Sequence, residues 1–114
     1  MKALFVELSP FERNREAHLD EDEYTLFQQR LLANPEAGAV ITDSGGLRKV
    51  RFGSVRRNKG KRGGVRVIYY YWLRGLQFWL FTLYDKDELD DLSSDQRRQL
   101  KTLLERELKA RQTP

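Results

Sequence analysis

The sequence has 114 residues, a third of them charged, with a formal net charge of +4 and no cysteine. That length suits one compact domain, 1–114, with a single hydrophobic core, and the lack of cysteine excludes disulfides, a thiolate nucleophile and a Cys-ligated zinc site. No stretch approaches the ~18 apolar residues of a membrane span, and the apolar N-terminus breaks at Glu7, too early for the core of a signal peptide, so a soluble, cytoplasmic chain with no membrane partner is expected.

Ala3 to Leu8 is an apolar, β-compatible run ended by Ser9-Pro10 and predicts a first strand. Ser9 then reads as an N-cap, with Pro10 at the first helical position and Glu12 completing a capping box, for a short helix to about His18. Asp20 caps a second helix whose acidic first turn, Glu21 to Glu23, complements the positive end of the helix dipole. Tyr24, Phe27, Leu31 and Leu32 recur at helical spacing, and Asn34-Pro35 stops the helix. After a loop, Leu47 to Gly53 alternates: Leu47, Lys49 and Arg51 on one side, Arg48, Val50 and Phe52 on the other, as a strand requires.

The stretch 54–64 has no apolar periodicity and is dense in glycine, lysine and arginine, which predicts a solvated loop. Val65 to Leu73 and Leu76 to Tyr84 are strong strand patterns separated by Arg74-Gly75, and predict a hairpin closed by a type I′ turn. Such a turn pairs Arg66 with Leu83, Ile68 with Phe81, Tyr70 with Trp79 and Trp72 with Gln77. Both faces of this hairpin are apolar, so both are expected to be covered. Ser93 with Gln96 forms another capping box, and Leu100, Leu103, Leu104 and Leu108 mark the buried stripe of a C-terminal helix. The expected fold is α+β, an antiparallel β-sheet with N-terminal helices and a C-terminal helix packed on it.

Charge is unevenly spread. Residues 44–84 hold ten Lys or Arg and no Asp or Glu, against eleven basic and seventeen acidic residues elsewhere. A concentration of one sign points to an anionic partner more strongly than the net charge does.

The order of elements, the GKRGGVRVIYY segment that opens the hairpin and the FTLYDKDELDDLS that follows resemble the HigB-like branch of the RelE toxin superfamily. GGLRKVRFG and DLSSDQRRQLKTLL extend the resemblance over nearly the whole chain. It implies a RelE-like toxin of a type II toxin–antitoxin system that cleaves mRNA, often in the ribosomal A site, and thereby inhibits translation. It also implies a cognate antitoxin as protein partner, mRNA on the ribosome as substrate, and operator DNA met only indirectly through the antitoxin. Two positions depart from the best-known RelE pattern: Asp87 stands where some members have Arg, and Ser93 where some have Tyr, which leaves the division of acid and base roles open.

RNA carries its own nucleophile, the 2′-hydroxyl, so cleavage needs a proton acceptor, cations around the phosphate and a proton donor for the leaving oxygen. No metal or other cofactor is expected: the one histidine, His18, reads as a helix-surface residue far from the basic stretch. Arg66 opens a strand after two glycines and carries a rigid bidentate fork for phosphate; an ion pair with Asp85 is the plain structural alternative. Lys86 matches the basic position after the hairpin and suits transition-state stabilisation or proton transfer, or else is a surface lysine between Asp85 and Asp87. Tyr84, at the sheet edge, suits base stacking or proton transfer, whereas the other hairpin aromatics belong to the core. Lys59, Lys61 and Arg62 are suited to grip an RNA backbone, with Arg48, Lys49 and Arg51 extending the patch. A noncatalytic RNA- or ribosome-binding module using the same residues is the alternative.

Overall fold

In the computed structural model, residues 3–53, 64–86 and 91–112 are described. The elements are β1 (Leu4–Glu7), α1 (Ser9–His18), α2 (Glu21–Ala33), β2 (Ala39–Val40), β3 (Arg48–Phe52), β4 (Val65–Trp72), β5 (Gln77–Asp85) and α3 (Ser94–Gln112). The strands form one sheet in the order β1-β5-β4-β3-β2. From β2 to β5 neighbours run antiparallel, but β1 lies parallel to β5, from Leu4 beside Gln77 to Glu7 beside Leu80. The sheet is therefore mixed. The chain leaves β1 through two helices laid on one face, so its first strand finds a partner on the far side of the hairpin.

Two of the expected caps are formed. Asp20 Oδ1 accepts from Glu23 N at 2.8 Å while Glu23 Oε1 accepts from Asp20 N at 3.0 Å, and Ser93 and Gln96 exchange the corresponding bonds at 3.1 and 2.8 Å. Helix α1 differs from the expectation. Leu8 donates its backbone N–H to Leu80 O at 2.9 Å, which keeps it extended as the last rung of β1, so Leu8 takes the N-cap place and Ser9 is already helical.

Helices α1 and α2 cover one face of the sheet with Phe11, Leu19, Phe27 and Leu31 against Val50, Val67, Tyr69, Phe78, Leu80 and Leu83. Helix α3 covers the other with Leu100 and Leu104 against Leu47, Ile68, Trp79, Phe81 and Tyr84. Each fully buried large apolar side chain contributes about 1.5–3 kcal/mol relative to exposure, and the two-sided apolar hairpin is thereby satisfied on both faces. Arg111 closes the second layer, its guanidinium 5.1 Å from the Trp79 ring centre and 5.7 Å from that of Trp72.

The hairpin differs from the expected one twice. Its tip is a 3-10 turn over Leu73–Gly75 followed by Leu76 in the left-handed region, φ 51°, in place of a two-residue turn. A Cβ on Gly75 would stand 2.3 Å from Trp72 Cζ3, so the ring lying on the turn demands the glycine. Because the longer loop is centred on the same point, Tyr70–Trp79 and Trp72–Gln77 are paired. Below Tyr69–Leu80, however, β5 carries one extra residue, Phe81. The pairs become Ile68–Thr82, Val67–Leu83, Arg66–Tyr84 and Val65–Asp85, in place of Ile68–Phe81 and Arg66–Leu83. The bulge lets fully buried Phe81 fill the α3 layer while Leu83 turns into the α1/α2 layer.

Candidate functional site

The bulge decides what faces Arg66. Strand register sets Arg51, Arg66 and Tyr84 side by side across β3, β4 and β5, and alternation points all three toward the α3 side. Arg66 is 3% exposed and Tyr84 7%, whereas Arg51 is open to solvent. The row lies where the chain departs into 54–63 and 87–90. Gly64, the residue before β4, holds this end together: its carbonyl accepts from Arg66 Nη1 at 3.1 Å and from the backbone N–H of Lys86 at 3.3 Å. Arg66, Tyr84 and Lys86 are thus gathered at one end of the hairpin. A buried guanidinium is costly unless it is hydrogen-bonded, and the Gly64 carbonyl fixes this one in place rather than leaving it to sample solvent. Asp85 stands opposite Val65 in the ladder.

Lys49 occupies the next row inward, opposite Ile68. Its Nζ lies 3.2 Å from Asp91 Oδ1, a residue just before α3. Partial burial works against ionisation of Asp91, but the Leu92 N–H, at 2.8 Å, and the Lys49 ammonium outweigh it, so the carboxyl titrates below the usual aspartate range. Arg48 points the other way. It donates to Gly38 O at 2.7 Å and to Glu36 Oε2 at 3.3 Å, tying β3 to the loop after α2. The basic residues of β3 therefore divide, with Lys49 and Arg51 on the Arg66 face and Arg48 on the opposite one. Lys59, Lys61, Arg62 and Asp87 lie outside the described residues.

The remaining aromatics are structural. Tyr69 donates its hydroxyl to Pro35 O at 2.7 Å and accepts from Gly38 N at 3.0 Å, and burial raises its pKa. Tyr24 donates to Glu7 Oε2 at 2.8 Å, and burial followed by the Glu7 carboxylate pushes its pKa well up. His18 is not a surface residue: it is buried, its ring Nδ1 2.7 Å from Asn14 O. Among the described residues no three His, Asp or Glu side chains converge as a metal site requires, and no helix is long and apolar enough to cross a membrane.

Two features of this region escape the sequence reading. One is the bulge, for which the hint is Thr82: in a regular strand its hydroxyl would face the α1/α2 core. The other is a cleft of about 430 Å³ between β5 and α3, opening beside Tyr84. It depends on where the helix lies over the sheet, which no local pattern encodes.

No protein-family model matches the sequence. Among solved structures the chain is similar to a mutant of the Escherichia coli toxin RelE in the free state, with a TM-score of 0.54 and 12% sequence identity over 79% of this chain and 90% of that one. The fold is RelE-like.

Proposed function

We propose that this chain is the toxin of a type II toxin–antitoxin pair, of the HigB-like kind, and that it inhibits translation as a ribosome-dependent mRNA endoribonuclease in the cytoplasm. The observation that carries the reading is the Arg66–Tyr84 pair, set beside Arg51 and Lys86 at the end of the hairpin in a RelE-like fold. A cognate antitoxin would be its protein partner and its route to operator DNA.

In this reading the substrate's 2′-oxygen attacks the adjacent phosphorus, the P–O5′ bond breaks, and a 2′,3′-cyclic phosphate and a 5′-hydroxyl result. The 2′ proton must be taken up and one delivered to the 5′-oxygen, work suited to the Tyr84 phenol and the Lys86 amine. Arg66 and Arg51 offset the charge that builds on the phosphate oxygens, and the Gly64 carbonyl holds the Arg66 guanidinium in one orientation for a phosphate that gains access to it. Lys49, Lys59, Lys61 and Arg62 supply the grip on the backbone.

One observation favours a noncatalytic RNA- or ribosome-binding module: Arg66 is 3% exposed, so a phosphate reaches it only after whatever covers it has moved. The two readings part in a translation reaction with RNA ends mapped. Cuts within translated codons that vanish with Arg66→Ala and Lys86→Ala support the nuclease, and intact mRNA on ribosomes that retain the protein overturns it.

A further inference from the structure

The cleft between β5 and α3 lies directly beside the Arg51–Arg66–Tyr84 row, yet its chemistry is different. Among the described residues, no charged side chain lines it. Leu92, Leu100 and Leu103 give it apolar walls, and Thr82, Tyr84, Gln96 and Gln99 bring hydroxyl and amide groups to them. Thr82 and Tyr84 both open toward α3 because the bulge at Phe81 precedes them. Gln96 is held by its cap: its Oε1 accepts from Ser93 N at 2.8 Å, which turns the amide into a fixed rather than a swinging group. Gln99, one turn on, is exposed and adjustable.

A neutral, largely apolar hollow with a few fixed polar groups, next to a cationic row, matches the neutral part of an anionic polymer. We propose that this cleft receives one nucleobase of bound single-stranded RNA, adjacent to the phosphate held by the basic row, and that Gln96, Gln99 and Thr82 read its polar edge. The inference rests on the RNA-directed reading above. A base offers a flat apolar surface to Leu92, Leu100, Leu103 and the Tyr84 ring, and donors and acceptors at its rim. An aliphatic side chain from a protein partner would fill the walls but make no use of the Thr82 hydroxyl or the Gln99 amide, and a second phosphate would meet no cation among the described lining residues. The volume, about 430 Å³, falls within the range of small-ligand sites and accommodates a base with its ribose.

The test is fluorescence anisotropy with labelled short single-stranded RNAs, each homopolymer compared with the same backbone carrying abasic sites. Intact RNA should bind about tenfold tighter than abasic RNA, the scale of one stacked base. Leu103→Trp, which fills the cleft, should bring the affinity for intact RNA down to the abasic value, and Gln99→Ala, on an exposed helix surface and therefore safe for folding, should change the order of preference among the four bases. Equal binding of intact and abasic RNA overturns the proposal, as does an unchanged base order in Gln99→Ala. Equal RNA binding together with capture of a leucine-rich amphipathic peptide would assign the cleft to a protein partner instead. Base-dependent affinity in a protein that cuts no mRNA would sink the nuclease and leave the cleft standing; cutting without base dependence would do the reverse.

Discussion

Arg66 and Tyr84 stand opposite each other beneath the α3 layer because β5 carries one residue more than β4 between the hairpin tip and the site. In an unbulged hairpin the tyrosine would point into the α1/α2 layer and the arginine would face Leu83. A single backbone irregularity thus couples a fixed cation to a phenol, and each prediction about the chemistry passes through that pair.

Arg66→Ala should lower mRNA cleavage by about 10²–10³-fold, the usual effect of removing one preorganised charge-stabilising donor, and should cost about 1.5–3 kcal/mol of stability through loss of its charge-assisted bond to the Gly64 carbonyl, which keeps the Lys86 N–H. Tyr84→Phe keeps the ring, so RNA affinity by anisotropy should hold while single-turnover cleavage drops about 10²-fold through loss of the hydroxyl. Equal cleavage by Tyr84→Phe and wild type would remove the phenol from proton transfer.

Arg48 and Arg51 should behave as opposites despite their closeness in sequence. Arg51→Ala should weaken binding to all RNAs alike and reduce the salt dependence of log affinity by about one charge. Arg48→Ala should leave that slope unchanged and instead lower the melting temperature, because it loses its bonds to Gly38 and Glu36. A salt titration of both variants decides the matter.

The Lys49–Asp91 pair is partly open to solvent, with side-chain exposures of 29% and 60%, so Asp91→Asn should change stability at neutral pH by less than about 1 kcal/mol. The folded carboxyl titrates below its unfolded value. Its contribution is therefore present above about pH 4 and is lost as pH falls through the lower folded pKa. Urea unfolding of wild type and variant should differ at pH 6 and converge in acid.

At the alkaline end the sign reverses. The folded phenols of Tyr24 and Tyr69 hold their protons above the ordinary value near 10, so their contribution is complete below about pH 10 and is lost as pH rises through the folded values. Thermal melts between about pH 8 and 12 should show a fall in wild type that is shallower in Tyr24→Phe.

Gly38→Ala should destabilise by about 1–3 kcal/mol. An added Cβ would lie 2.9 Å from the Lys49 carbonyl carbon and oxygen and from Tyr69 Cε1, and the backbone atoms cannot turn aside. Denaturant midpoints measure the loss, and an unchanged midpoint would contradict the close packing of this loop against β3.

Much of this was legible from residue order, and what was not has a physical reason. Asp20 with Glu23, and Ser93 with Gln96, are local chemistry and are found as read. Alternation in Leu47 to Gly53 and in the hairpin likewise shows in the strands and in the covering of both faces. The parallel partner of β1 was hidden, since pairing across most of the chain leaves no local trace. The bulge at Phe81 was hidden too, because it satisfies two core layers at once rather than any rule of the strand itself. Within the candidate site, the sequence placed Arg66, Tyr84 and Lys86 at the same end of the hairpin, but the ladder read from it paired Arg66 with Leu83 and turned Tyr84 to the other face, and only the bulge brings Arg66 and Tyr84 together. Alternation set Arg48 and Arg51 on opposite faces of β3, yet their shared charge suggested one RNA-binding patch, which the bonds of Arg48 to Gly38 and Glu36 rule out for it; the burial of Arg66 and the cleft beside Tyr84 arise only when α3 settles on the sheet.

The parallel pairing of β1 with β5 also governs when the protein can exist at all. Leu4 emerges from the ribosome far ahead of Gln77, its neighbour in the sheet, and the entropy of closing so long a loop must be overcome before that contact stabilises anything. The hairpin β4–β5 can form locally, but the first strand must wait for it. A nascent chain therefore lacks a finished sheet until nearly all of it has been made, and synthesis and folding are completed almost together.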